Sequence, residues 1–343
     1  MMMKKNKKGG KEMKKYIYIS MALAATMFTA CGSDDVLDNI ENGTATDNKE
    51  QPITIVANLP QKTGTRVSYT DDSEGTTYIL TPAWATGDKV RYDYRTSTEE
   101  KKRTVSVTIT DGIGTFNLSD GDPAASSYIY CHHPASANYF TSLAANTSTC
   151  VVTPPTNAGF IAASLAEVSG YNYLVGSLQY SDTKSNLNME FKNVYALLKF
   201  NIYIPYEKNT EYAVSRFTSI TLKGFDGTSA TNVSINGKVT ITGSTGEIVW
   251  SDKEAGQYTR SANMALTSDI SSKSGYRLGV LYVLVTPQTW NGLYLSATDN
   301  ANQVDSSYSN HTYVYTKTGN ISLEAGKMYG INITLKKTMI QTP

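Results

Sequence analysis

Three cysteines and three histidines make up the chain's supply of the side chains that most often act as nucleophile, base or metal ligand. Cys131, His132 and His133 are consecutive in "YCHHP" (Tyr130–Pro134) and are the obvious candidates for metal ligation. Neighbouring residues of an extended segment point to opposite faces, so His132 and His133 would not share one ion. No Cys-x-x-Cys or His-x-x-x-His pair accompanies them, and no metal site is expected. Hydrolytic chemistry needs a nucleophile, a base and an orienting group. The many serines include no Gly-x-Ser-x-Gly elbow, and no glycine-rich phosphate loop links a strand to a helix. Asp71, Asp72 and Glu74 crowd into "YTDDSEG", a turn-rich stretch whose only conceivable ligand is a weakly held Ca²⁺. The sequence therefore predicts no enzyme and no cofactor.

Cys31 is different. It follows "MKKYIYISMALAATMFTA" (Met13–Ala30), two lysines and then an uncharged apolar run ending in small residues. That is the layout of a secretory signal. The run is shorter than the ~20 residues a spanning helix needs. The order apolar, small, small, Cys in "FTACGSDD" (Phe28–Asp35) resembles a bacterial lipoprotein box. The resemblance implies cleavage before Cys31, a diacylglycerol thioether on its sulfur, and a further acyl chain such as palmitate on the new amine. Several acyl chains together anchor a protein stably to a membrane. Residues 31–51 are polar and acidic and read as a flexible tether. Acidic residues after the lipidated cysteine also resemble surface-export signals of Bacteroidetes lipoproteins. Residues 1–30 hold seven lysines and one glutamate, so removing them changes the formal charge from +1 to −5. A mildly acidic chain without a basic patch argues against nucleic acid as a partner. In an exported chain Cys131 and Cys150 are candidates for a disulfide worth about 3 kcal/mol, the alternative being two buried thiols.

The elements that would carry any site are strands. Short segments rich in Thr, Val and Tyr alternate in polarity between Gly, Asn, Asp and Pro turns, which predicts a mainly β fold, by default an antiparallel β-sandwich. In "ITIVANL" Ile53, Ile55, Ala57 and Leu59 share one face, opposite Thr54, Val56 and Asn58. "TVSVTIT" (Thr104–Thr110) alternates in the same way. "YALLKFNIYI" (Tyr195–Ile204) is apolar throughout and predicts a strand buried on both sides. The one helical candidate is Gly159–Gly170. A polar stretch, "SDTKSNLN", predicts a division into domains of residues 52–186 and 187–343.

Three segments together resemble the fimbrillin-like lipoproteins of Bacteroidales, the subunits of type V pili. They are "ITIVANLPQKTGTR" (Ile53–Arg66), "PAWATGDKVRYDY" (Pro82–Tyr94) with its Trp-x-x-Gly-Asp, and "ISLEAGKMYGINITL" (Ile321–Leu335) with its Ala-Gly-Lys-x-Tyr. "MEFKNVYALLKFNI" (Met189–Ile202) also fits the start of that family's second domain. The resemblance implies two tandem transthyretin-like antiparallel β-sandwich domains. It implies a lipidated precursor at the outer membrane, and an arginine-specific surface protease that cuts between Arg66 and Val67. The strand carrying Ile53, Ile55, Ala57 and Leu59 would then be lost. A strand from another pilus subunit would fill the groove, by β-augmentation.

After Leu335 only "KKTMIQTP" follows, with Met339 and Ile340 its large apolar residues. That is little to donate to a groove lined by four, so a tip or accessory role in the fimbria is expected rather than the repeating shaft. The competing expectation is a surface lipoprotein that binds glycans or another host ligand and never polymerises, with "TPQTWNGLYLSAT" (Thr286–Thr298) as a source of sugar-stacking aromatics.

Overall fold

Alternating Val, Ile, Thr and Tyr become strand almost everywhere in the computed structural model. It describes residues 53–59, 77–79, 83–135, 148–154, 161–169, 173–181, 187–261, 264–267 and 274–341. Helix is confined among these to short turns, Leu165–Ser169 within the expected helical stretch, Ala301–Val304, and a 3₁₀ turn at Lys337–Met339. The mainly β fold is as expected. All described residues fall in one unit, Glu50–Pro343.

The first half is built on an eight-stranded sheet. Its strands lie in the order Glu100–Ser106, Lys89–Arg95, Tyr128–His133, Leu174–Gln179, Leu187–Asn193, Ile53–Asn58, Ile113–Leu118 and Thr108–Thr110. The two outermost strands are consecutive in the chain. They are the single strand expected over Thr104–Thr110, broken at Val107, whose side chain is buried and whose N–H donates to Asp88 O at 2.9 Å. Because one continuous segment supplies both margins, the sheet curls around a core of Ile55, Tyr92, Phe116, Met189 and Phe191.

In the second half, Ala196–Pro205 lies between Tyr276–Val285, antiparallel to it, and Lys327–Thr334, parallel to it. Its apolar character has the expected cause. Leu198, Phe200 and Ile202 pack towards Phe217, Leu222 and Leu293 of the six-stranded sheet. Leu197 faces the other way, into a cluster with Tyr130, Tyr173, Val239 and Met328. The Ala-Gly-Lys-x-Tyr motif starts the parallel strand. Gly326 takes φ +75°, donates to Tyr195 O at 2.8 Å, and lets Tyr329 Oη accept from Glu324 N at 3.0 Å.

The halves are interlocked. Thr149–Val152 pairs with Val233–Thr242, Ile161–Ala162 with Tyr276–Val285, and Thr77–Ile79 with Lys327–Thr334. Leu187–Asn193, placed by sequence at the head of the second domain, belongs to the first sheet. The sheets are not wholly antiparallel either. Ile53–Asn58 and Leu187–Asn193 run parallel, as do Ala196–Pro205 and Lys327–Thr334. Parallel neighbours need a long crossover between them, and here most of a half of the chain supplies it.

Candidate functional site

Ile53–Asn58 is an interior strand. On one side it pairs parallel with Leu187–Asn193, from Ile55 opposite Leu187 to Asn58 opposite Glu190. On the other it pairs antiparallel with Ile113–Leu118, from Ile53 opposite Leu118 to Ala57 opposite Gly114. Period-two alternation sends Ile53, Ile55 and Ala57 inward, where they are 2%, 0% and 2% exposed. Leu59 is half-buried against the same core. Thr54 faces outward, and its Oγ1 donates to Asn117 Oδ1 at 2.8 Å. Burying an isoleucine side chain contributes roughly 1.5–3 kcal/mol, so this one strand supplies several kcal/mol and two ladders of backbone hydrogen bonds.

The Trp-x-x-Gly-Asp segment explains itself in this setting. Gly87 adopts φ +94°, and Asp88 closes the turn by accepting from Ala85 N at 2.8 Å. The turn holds Trp84 over the end of the first strand, where its Nε1 donates to Ala57 O at 2.9 Å. The indole meets Phe191 and His133 edge-on, at centroid distances of 5.5 and 5.3 Å. Gly114 is required beneath it, since a Cβ there would come within 2.5 Å of the ring. Sequence reasoning treated Trp84 as part of a family motif and missed its role as a latch. The signal was a large aromatic directly before a glycine turn.

Cys131 and His132 sit on the strand Tyr128–His133 and point to opposite faces. Cys131 joins the core with Ile55 and Tyr92. His132 stacks on Tyr173 at 5.4 Å, and burial pushes its pKa down to about 3. His133 points away from His132, towards Trp84. Cys150 lies beyond the sheet with Tyr130, Val239 and Ile241. Of the two states left open by the sequence, a disulfide or two buried thiols, the structure has the thiols. Cys131 and Cys150 are free, buried thiols belonging to different apolar clusters on the two sides of one sheet. Among the described residues no group of His, Cys, Asp and Glu is placed to hold a metal ion, and no helix is long and apolar enough to cross a membrane.

Near the sheet's margin Asp93 is fully buried, directly opposite Lys102 in register, with Lys102 Nζ 3.3 Å from Asp93 Oδ2. Lys102 also meets Glu100 at 3.1 Å. Burial outweighs the pull of Lys102 and pushes the Asp93 carboxyl up to about 7. The expected lipidation site Cys31, the cleavage pair Arg66 and Val67, and the acidic residues Asp71, Asp72 and Glu74 lie outside the described residues.

Residues 125–342 match a family described as fimbrillin-like. The chain belongs to that family. Fimbrillin-like membership agrees with the resemblance carried by the sequence motifs, and it supports a pilus or adhesin-like subunit rather than an enzyme. Among solved structures, a protein provisionally described as a cell adhesion protein from Bacteroides ovatus is 12% identical, with a TM-score of 0.48. The match covers 85% of this chain and 94% of that one. A similarly described protein from Bacteroides uniformis is also 12% identical, covering 87% of this chain and 96% of that one at a TM-score of 0.43. A third, from Bacteroides fragilis, is 14% identical over 83% of this chain and 93% of that one, at 0.42. No curated protein matches the chain.

Proposed function

We propose that this fimbrillin-like chain is a structural and adhesive subunit of a cell-surface fimbria that accepts a strand from another subunit in place of its own first strand. The observation that carries the proposal is the position of Ile53–Asn58. It is hydrogen-bonded on both sides, inserts three buried side chains, and is followed by residues 60–76 with Arg66 among them. Removing an interior strand leaves unpaired N–H and C=O groups on two neighbours and an emptied apolar row, both of which an incoming strand satisfies. Cleavage between Arg66 and Val67 by an arginine-specific surface protease would release it. Before that, acylation at Cys31 would hold the precursor at the outer membrane.

A tip or accessory role is the favoured one, because the residues after the last strand are engaged at home. Ile340 bridges to Tyr313, Met339 and Ile340 pack on the second-half core, and Lys337 pairs with Glu207 at 2.8 Å. In this reading the subunit has two domains, and the first of them includes Leu187–Asn193 of the eight-stranded sheet.

Limited trypsin treatment of the full-length chain mixed with a second fimbrial subunit tests acceptance. Cleavage after Arg66, loss of the first strand and an SDS-resistant complex with that subunit are expected. Arg66→Ala should block all three. Cleavage without a complex would instead favour a surface binding protein that does not polymerise.

A further inference from the structure

We infer that a cleft in the second half of the chain is a binding site for an acidic sugar, a single pyranose carrying a carboxylate. The cleft has a volume of about 230 Å³, room for one ring of that kind. It lies where the strands Val233–Thr242 and Gln288–Asp299 begin, beside the end of Ile248–Gly256.

Two independent irregularities converge on it. The ladder between Val233–Thr242 and Ile248–Gly256 slips between Ser234 and Asn236, and again before Lys238. The ladder between Gln288–Asp299 and Thr312–Leu323 slips between Trp290 and Gly292. Bulges of this kind re-aim side chains and gather beside functional sites. Ser234, Trp290 and Asn291 from the slipped positions all line the cleft.

Its floor is fixed in advance. The Ser234 carbonyl accepts from Gln288 Nε2 at 2.7 Å, Thr286 Oγ1 at 2.8 Å and Tyr258 Oη at 3.0 Å. Ser234 N donates to Gln288 Oε1 at 2.8 Å, so both ends of that amide are held. Trp290 is 1% exposed, and its Nε1 meets no acceptor among the described residues. Its ring stacks on Tyr258 at a centroid distance of 6.2 Å and backs the cleft as a rigid wall.

The rim defines the chemistry. Asn232, Thr289 and Asn291 are exposed amides and a hydroxyl, which suit neighbouring hydroxyl groups that both donate and accept. Among the described residues Lys253 is the only charged one lining the cleft, and no carboxylate lines it. Its Nζ donates to Pro287 O at 3.3 Å, which leaves two N–H groups for an anion. A phosphate site would be expected to offer an arginine fork or a nest of backbone N–H groups, and the lining is dominated instead by neutral hydroxyl and amide groups. One carboxylate on a ring of hydroxyls satisfies this set.

Isothermal titration of the full-length chain with methyl β-glucuronide, N-acetylneuraminic acid and, as neutral control, methyl β-glucoside tests the site. One of the two acids should bind about tenfold more tightly than the glucoside, the worth of one charge-assisted hydrogen bond. Lys253→Ala should erase that preference, and Thr289→Ala with Asn291→Ala should weaken acid and neutral sugar alike. No binding of either acid, affinity equal to that for the glucoside, or a preference that survives Lys253→Ala would overturn the inference. The trypsin-triggered complex with a second fimbrial subunit should form normally in all these variants, so failure of the sugar site and failure of strand acceptance are read separately.

Discussion

Trp84 reaches across the curled sheet to hold the last inward-facing residue of the first strand, its indole N–H donating to Ala57 O at 2.9 Å. The contact is part-buried and is made to backbone rather than to a side chain. It therefore survives any change of sequence in the strand itself. A strand offered from outside the chain, as proposed, would present a carbonyl at the same register position, so the latch would hold a replacement as it holds the resident strand.

Trp84→Phe keeps the aromatic packing and deletes the hydrogen bond. It should lower stability by about 1 kcal/mol in urea unfolding. The same variant should lose the first strand faster after trypsin cleavage, followed by SDS gel. An unchanged rate would mean that the latch does not retain the strand.

Ile55 is fully buried at the middle of the strand, whereas Thr54 faces solvent. Ile55→Ala should cost about 2–5 kcal/mol through lost burial and a partly relaxed cavity. Thr54→Ala should stay within about 1 kcal/mol, the value of its one exposed hydrogen bond. Denaturant midpoints for the two variants, measured side by side, check the inward and outward assignment directly.

Asp93 makes stability depend on pH in a definite direction. Its folded pKa of about 7 stands above the ordinary carboxylate value of about 4. Between these values the native chain keeps a proton that the unfolded chain has released, so this group lowers stability as pH rises from 4 to 7 and adds no further change above 7. Asp93→Asn should therefore match wild type near pH 4 and exceed it at pH 8. The gain has an upper limit of about 4 kcal/mol, at 1.36 kcal/mol for each unit of pKa, reduced by what Lys102 loses in its partner. Thermal melts at the two pH values decide it, and a variant less stable than wild type at pH 8 would show that the ion pair outweighs the burial cost.

Burial raises the pKa of both Cys131 and Cys150, and neither sulfur is near the surface. Without reduction, the native chain should show no reaction with Ellman's reagent at these positions. Two thiols besides Cys31 should appear on denaturation. Their absence would mean that oxidation has joined residues which this structure places on opposite sides of a sheet.

Much of this arrangement is written locally. A strand with one face in the core must alternate, so "ITIVANL" announces Ile53, Ile55 and Ala57 as its inward row, and "YALLKFNIYI" announces double-sided burial. What decides partners is not local. Leu187–Asn193 alternates like any half-buried strand, and nothing in its own seven residues says that it will lie beside Ile53–Asn58 rather than open the second half. The break at Val107 was hidden for a related reason. The alternation of Thr104–Thr110 runs through it, and the interruption comes from a hydrogen bond to Asp88, a residue far along the chain. Separation and scarcity left Cys131 and Cys150 open to either a disulfide or two buried thiols, and the sheet between their two clusters, which decides it, is a property of the assembled fold. The sugar cleft was legible only as an aromatic-rich segment around Trp290, because register slips, not residue types, create it.

Thr77–Ile79 is sewn into the edge of the sheet that contains Lys327–Thr334, on the far half of the molecule from the strand that precedes it. If the chain is cut between Arg66 and Val67 as proposed, the piece bearing the first strand would leave while Thr77–Ile79 stays riveted elsewhere. The subunit would then stand open along a single line, with its other half still fastened across the seam.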